Sequence, residues 1–203
     1  MSEPLQKTYV WDPVVRVLHW ALVIAFATSW GLGKFGPDIM TLHFYSGYTV
    51  ATIVILRLLW GVLGYRTARF TQFVKGPRKI AAYARTLPSR DPSRSYGHNP
   101  VGALFVVGVL IVLLLQITSG LFADPEDYIN TGPLAQYVSI DLARKALSLH
   151  EPLSTLLLLM VIGHIGAIFW YKKRKGENLV KPMITGIADL PPEAVKAASS
   201  KRA

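Results

Sequence analysis

The stretch LHEPLSTLLLLMVIGHIGAIFWYKKRKG, residues 149–176, decides the fold expected of this chain. It is a long apolar run followed by four basic residues, and it carries His150 and His164 fourteen positions apart. In an α-helix that spacing covers about 21 Å and nearly four turns, so both imidazoles leave one side of the helix at different depths of a bilayer. Ionisable groups inside a membrane segment are functional candidates. Either histidine alone could equally be a core residue bonded to a carbonyl.

Four hydrophobic segments are long enough to span a membrane. They are Val14–Leu32, Leu42–Leu63, Pro100–Phe122 and His150–Tyr171. In a chain of 203 residues that is 51% hydrophobic, this pattern predicts an all-α integral membrane protein, a bundle of four transmembrane helices. We expect residues 1–186 to form that domain and residues 187–203 to be a basic, disordered tail. The absence of cysteine excludes disulfides, thiolate ligation and iron–sulfur clusters on this chain.

The net charge of +10 is distributed unevenly along the chain. The loop between the second and third hydrophobic segments and the end after the fourth carry an excess of basic residues, whereas the other two loops hold more acids than bases. This is the positive-inside pattern, so we expect both termini and the middle loop to be cytoplasmic. Each basic cluster directly follows a hydrophobic segment, which topology and anionic lipid explain. Membrane lipid is therefore an expected partner and nucleic acid is not.

Two more histidines lie on other hydrophobic segments, His19 near the start of the first and His43 near the start of the second. If the first helix begins in the cytoplasm, antiparallel succession puts His19 with His164 near the inner face and His43 with His150 near the outer face. Two sites with two imidazoles each follow, which suits the axial positions of low-spin iron porphyrins. Zinc fits less well, because neither level offers cysteine or clustered carboxylates to complete four ligands.

Several motifs, taken together, resemble a known family. They are RVLHW (16–20), HFYSG (43–47), RLLWG (57–61), GHNPVGA (97–103), the pair of histidines on the fourth segment, and KGENLVKPMITG (175–186). Over Trp11–Gly186 the chain is similar to the bacterial b561-type cytochromes, which include the b-type cytochrome subunits of membrane nickel–iron hydrogenases.

The resemblance implies a multi-pass protein of the bacterial inner membrane with two b haems, one near each face. His19, His43, His150 and His164 match the axial ligands of the family. It further implies electron transfer across the membrane between quinone or quinol and a redox protein, either a hydrogenase or a c-type cytochrome. Two alternatives remain open at this point: a stand-alone superoxide:quinone oxidoreductase of the same family, and a haem-free four-helix membrane anchor.

Two arginines are candidate partners of haem propionates at the inner level. Arg57 follows His43 by fourteen residues, which places it on the haem-facing side of the second helix. A guanidinium there could pair with a propionate, and the alternative is snorkelling to the nearby interface. Arg16 lies one turn before His19 and is a second candidate, with a simple topology charge as its alternative.

Three other features have structural interpretations. His98, in Gly-His-Asn-Pro, is expected in the turn that opens the third helix and not as an iron ligand. Gln116 is the amide of the third segment, and we expect it to bond across helices, with contact to a bound molecule as the alternative. The amphipathic stretch PRKIAAYARTLP (77–88) predicts a short helix, either on the membrane surface or solvated. Residues 141–149 are expected to extend the fourth helix at its start.

Overall fold

The computed structural model describes residues 4–38, 40–92 and 95–199. The elements are β1 (Gln6–Tyr9), α1 (Pro13–Phe35), α2 (Thr41–Leu63), α3 (Phe70–Phe73), α4 (Pro77–Thr86), α5 (Pro100–Phe122), a 3₁₀ turn (Ala135–Tyr137), α6 (Ile140–Lys175), α7 (Val180–Thr185), β2 (Ile187–Leu190) and α8 (Pro192–Ser199). Within this described part, four helices are long and apolar enough to cross a membrane, namely α1, α2, α5 and α6. The predicted all-α membrane class is therefore confirmed.

Two of these helices begin where the sequence supplies a side-chain cap followed by proline. Asp12 Oδ1 accepts the amide of Val15 at 3.1 Å before α1, and Asn99 Oδ1 accepts the amide of Gly102 at 2.7 Å before α5. Proline at the first helical position loses no hydrogen bond, because that amide has no partner within the helix. The predicted opening of the third helix by a cap at Asn99 and Pro100 is confirmed.

The chain divides into two compact units. The first contains Met1–Val17, Leu58–Val107 and Gly163–Ala203, and the second contains Leu18–Arg57 and Gly108–Ile162. Each long helix therefore contributes to both units.

The tail that was expected to be disordered from residue 187 is structured as far as residue 199 in the first unit. β2 pairs antiparallel with β1, with Gln6 opposite Leu190. Leu190 is buried in one cluster with Val10 and Trp11. Covering these apolar side chains offsets the entropy lost on ordering the segment. The prediction of disorder is therefore wrong for residues 187–199, and residues 200–203 lie outside the described part.

The predicted short amphipathic helix is present as α4, and its side chains join it to the end of α6 in the first unit. The hydroxyls of Tyr83 and Tyr171 lie 3.1 Å apart. Lys175 is buried, and its Nζ donates to the carbonyls of Thr86 at 3.4 Å and Asp91 at 3.0 Å. A cation at a helix C-terminus satisfies carbonyls that the helix itself leaves unpaired. This bonding gives α4 a fixed attachment besides any contact with lipid.

In the second unit, one asparagine connects the loop before α6 with the segment between α1 and α2. Asn130 Nδ2 donates to the carbonyl of Asp38 at 2.9 Å, and its Oδ1 accepts the amide of Met40 at 2.8 Å. Glu126 and Tyr128 have positive φ angles of 61° and 60° in the same loop. The predicted extension of the fourth helix is confirmed, because α6 begins at Ile140.

Candidate functional site

His43 and His150 lie together in the second unit, on α2 and α6. Their ring centroids are 6.1 Å apart and the ring planes are inclined by 86°. A histidine nitrogen binds a metal ion at about 2.0–2.1 Å, so this separation leaves room for one metal between the two rings. The predicted outer pair is therefore brought together by the fold, at a distance suited to shared coordination.

The hydrogen bonds of both rings favour the same tautomer. His43 Nδ1 lies 2.9 Å from the carbonyl oxygen of Ser29, which can only accept, so Nδ1 carries the proton. Ser119 Oγ donates to the carbonyl of Gln116 at 2.9 Å and lies 3.0 Å from His150 Nδ1. Since its single proton is already used, Ser119 accepts from His150 Nδ1–H. Each ring therefore keeps its lone pair on Nε2, which is the arrangement that a metal ligand requires.

Gln116 contacts the lone pair of His150 directly. Its Nε2 donates to His150 Nε2 at 3.1 Å, and its Oε1 is buried without a hydrogen-bond partner in the described part of the chain. The cross-helix bonding expected of Gln116 is confirmed, and its partner is a predicted ligand. A metal ion on His150 Nε2 would take over this lone pair, which would release the amide to bond a group nearby.

A cavity of about 430 Å³ surrounds the two rings. This volume lies within the range of about 300–1,000 Å³ that is typical of ligand pockets. Trp30 lines the cavity, and its Nε1 is a buried donor without a hydrogen-bond partner among the described residues. Lys34 is at the cavity as well and bonds Glu151 at 2.6 Å. These donors would suit the carboxylates of a porphyrin, so the residues present fit a haem.

Two glycines lie against the histidine rings. A Cβ placed on Gly33 would be 3.1 Å from Cε1 of His43, and one placed on Gly120 would be 2.8 Å from Cε1 of His150. The second distance is shorter than real Cβ contacts, so glycine is required there for the ring to keep its position. Gly47, one helical turn after His43, differs from them, because a Cβ there would meet nothing within 4 Å.

The two histidines predicted for the inner site have different surroundings. His164 lies in the first unit, and its ring stacks on Phe105 with centroids 5.4 Å apart and planes inclined by 9°. His19 lies in the second unit, and its ring meets Trp20 edge-on at 5.3 Å. Their predicted pairing stays a prediction.

The arginines and the fifth histidine also have defined positions. Arg57 is buried, with 9% of its surface exposed. An arginine that snorkels to the interface would instead expose its guanidinium. Arg16 Nη1 donates to the carbonyl of Ile184 in the first unit. Propionate binding by either arginine stays a prediction. The ring of His98 packs on Trp11 at 4.6 Å and on Phe73 at 4.7 Å, both in the first unit.

Sequence reasoning missed Ser119, Gly33, Gly120 and Trp30 as parts of the outer site. The contacts of the first three with the histidine rings join residues that are 10 to 31 positions apart, so no local pattern marks them. On the third helix, the sequence did contain one pattern that could have indicated these residues. Gln116, Ser119 and Gly120 lie within five positions, and residues three or four apart share one helix face.

Comparison with known proteins gives one family and several relatives. A family model described as "Prokaryotic cytochrome b561" matches residues 10–186. A protein of Escherichia coli strain K12, the "Probable Ni/Fe-hydrogenase 1 B-type cytochrome subunit", is 23% identical over 91% of this chain and 92% of its own length. The "Probable Ni/Fe-hydrogenase B-type cytochrome subunit" of Rhizobium leguminosarum bv. viciae is 26% identical over 56% of this chain and 58% of its own length.

Proposed function

Since the chain belongs to the prokaryotic cytochrome b561 family, we propose that it carries two bis-histidine haems and transfers electrons across the membrane between the quinone pool and a redox protein. Membership itself makes it a multi-pass bacterial membrane protein that binds haem b and takes part in electron transfer. Haem b supplies a one-electron carrier when bound. What we propose beyond membership is that there are two haems, that quinone exchanges electrons with them, and that a redox protein is the partner.

The observation that carries the proposal is the 6.1 Å separation of the rings of His43 and His150. Both rings hold the proton on Nδ1, because a carbonyl or a hydroxyl oxygen accepts it. The lone pair of each ring is thereby on Nε2, and an iron there would replace the bond that Gln116 Nε2 donates to His150. The donors of Trp30 and Lys34 at the cavity would hold the porphyrin carboxylates.

The second haem would lie near the inner face, between His19 and His164. The position of His164 along its helix supports this site, because it follows His150 by fourteen residues on the continuous helix α6. That spacing separates the two levels by about 21 Å along the helix axis. Burial of Arg57, fourteen residues after His43 on α2, supports a charged contact at the same inner level. Arg57 and Arg16 are the proposed propionate partners there.

The proposed location is the bacterial inner membrane with both termini in the cytoplasm. The basic residues after α2 and after the apolar part of α6 support this orientation. Reporter fusions after Gly76 and after Arg202 should read as cytoplasmic, and a fusion at Asn130 should read as periplasmic. A periplasmic carboxyl end would overturn the orientation and exchange the names of the inner and outer sites.

The proposed redox partner is a hydrogenase or a c-type cytochrome. The relatives named above as hydrogenase b-type cytochrome subunits support the first of these. Affinity purification in mild detergent from native membranes tests it, and recovery of a nickel–iron hydrogenase in stoichiometric amount is the expected result.

Purified protein tests the haems and the quinone together. We expect a haem-to-chain ratio of two, Soret and α bands that respond to dithionite, and reduction of both haems by a short-chain quinol. A ratio of one would remove the inner site from the proposal, and a protein without reducible bands would be the haem-free anchor. Haem reduction by superoxide, followed by transfer to quinone without a partner protein, would identify the stand-alone oxidoreductase instead.

A further inference from the structure

Ser119 has a contact that ordinary helix packing does not explain. Its side chain is buried, with 7% of the residue exposed, and its hydroxyl donates to the carbonyl of Gln116, three residues earlier. A serine in a helix often makes that bond alone. Here the same oxygen also accepts the Nδ1 proton of His150 on another helix, at 3.0 Å. One hydroxyl therefore connects the main chain of α5 with a predicted iron ligand on α6.

We propose that Ser119 is a positioning residue that sets the orientation and the electron-donating strength of His150, and thereby the midpoint potential of the outer haem; this rests on the proposed function. An oxygen that accepts the Nδ1 proton makes the imidazole more basic at Nε2. A more basic axial ligand stabilises the oxidised iron and lowers the potential. Burial strengthens the effect, because water does not compete for the same proton.

The other outer ligand shows why this serine matters. His43 Nδ1 donates to a main-chain carbonyl, that of Ser29, at 2.9 Å. No side-chain substitution at residue 29 removes that acceptor. His150 depends on a side chain for the equivalent bond. Ser119 is therefore a position at which a substitution can change the bond at Nδ1 of an axial ligand while both histidines stay in place.

The experiment is a series of substitutions graded by the strength of the acceptor. Ser119→Thr keeps a hydroxyl that can bond the preceding turn, Ser119→Cys offers a weak sulfur acceptor, and Ser119→Ala offers none. Midpoint potentials of both haems are measured by redox titration of the purified holoprotein. The expected order for the outer haem is wild type and Thr lowest, Cys intermediate, Ala highest.

The expected shift in Ser119→Ala is up to about tenfold in the equilibrium between oxidised and reduced outer haem. For a one-electron couple, tenfold corresponds to about 59 mV. The inner haem should keep its potential. Ser46→Ala is the matched control, because Ser46 Oγ also donates to a carbonyl three residues earlier, at 2.8 Å, and that carbonyl belongs to His43. It should leave both potentials unchanged.

Each result decides between the inference and its alternatives. An outer potential that is equal in Ala, Cys and wild type overturns the inference while the bis-histidine site stands. If Ser119→Ala loses the outer haem, recovery in Ser119→Thr supports the hydrogen bond, and failure of Thr to recover it shows a packing role instead. Absence of an outer haem in the wild type, with the inner one bound, would instead refute the proposed function at this site.

Discussion

The two histidines of α6 have different neighbours. In the second unit, His150 is bonded at Nδ1 by Ser119 and at Nε2 by Gln116. In the first unit, the ring of His164 stacks almost parallel on Phe105. The two hydrogen bonds fix the orientation and the tautomer of the His150 ring, and the stack on Phe105 restrains the plane of the His164 ring. The two proposed sites can therefore differ in potential although their ligands are of the same type, because different side chains surround the rings.

Removal of the ligands is the strongest way to separate the two sites. His150→Ala or His43→Ala should lower the haem content from two to one per chain and leave the inner spectrum. His164→Ala or His19→Ala should remove the inner haem and leave at least part of the outer one. Each substitution would remove one of the two histidines proposed to hold an iron. Haem extraction and optical spectra of the purified variants measure the result.

His98→Ala is the control for this set, because the ring of His98 packs between Trp11 and Phe73. It should retain both haems, even if the chain becomes less stable. Loss of a haem in His98→Ala, together with two haems in His43→Ala, would show that the pairing is wrong.

A smaller change to the ring positions should separate the sites again. Gly120→Ala puts a Cβ at 2.8 Å from Cε1 of His150, so the ring must move. Overpacking of this kind typically costs about 1–3 kcal/mol, and we expect weaker binding of the outer haem. Gly163→Ala is the matched control beside His164, because its Cβ would meet nothing within 4 Å. Haem retention during gel filtration with a competing apoprotein compares the two variants, and equal retention would contradict the prediction.

Arg57 tests whether a charge distinguishes the inner site. Arg57→Gln should lower the potential of the inner haem by the equivalent of about 1 kcal/mol, since a positive charge roughly 10–15 Å away at an effective dielectric of about 20 favours the reduced form by that amount. The outer potential should move much less. Arg57→Lys keeps the charge and should behave more like the wild type. Equal shifts at both haems, or no shift at either, would leave Arg57 an interfacial anchor.

The stack on His164 can be loosened without removing a ligand. Phe105→Leu replaces the ring with a smaller apolar side chain, and an aromatic pair contributes about 0.5–1.5 kcal/mol beyond its burial. We expect broader electron paramagnetic resonance lines for the inner haem, because its ligand plane is less restrained. Phe169→Leu is the control on α6, since Phe169 is 66% exposed. Broadening of the outer signal alone would contradict the assignment of His164 to the inner haem.

The smallest effect is expected in the outer loop beside the cavity. The amides of Asn130 and Ile129 donate to Asp127 at 2.7 and 3.0 Å and hold the pKa of its carboxyl below the usual value. A carboxyl with a lowered pKa contributes stability above its unfolded pKa, and that contribution disappears as the pH falls through the folded value. The loop should therefore loosen below about pH 4.

A spin label measures this loosening. Tyr128→Cys provides one attachment site, because Tyr128 is 98% exposed and the chain has no other cysteine. The label should gain mobility in acid, and the added change Asp127→Asn should abolish that transition. Acid mobility that persists with Asp127→Asn would assign the change to another group.

The sequence predicted α4 and the cap before α5 well, because each depends on neighbouring residues. Amphipathic spacing and the flanking prolines define α4, and the capping atom of Asn99 is three residues from the amide that it accepts. The tail was predicted poorly for the opposite reason. Its partner strand begins at Gln6, and only the folded chain brings that residue opposite Leu190. The amino-acid composition describes only the tail itself, whereas its burial depends on the residues that pack against it in the folded chain.

By itself, the sequence determined four apolar helices, the histidines on three of them, and the charge asymmetry that predicts their orientation. These follow from hydrophobicity and helical repeat, which are properties of consecutive residues. The tertiary structure decided which groups lie against the rings of His43 and His150. They are the hydroxyl of Ser119, the carbonyl of Ser29 and the main chain of Gly120, which has no side chain. Such contacts join separate helices, so their distances depend on how the helices pack, which helical periodicity does not encode.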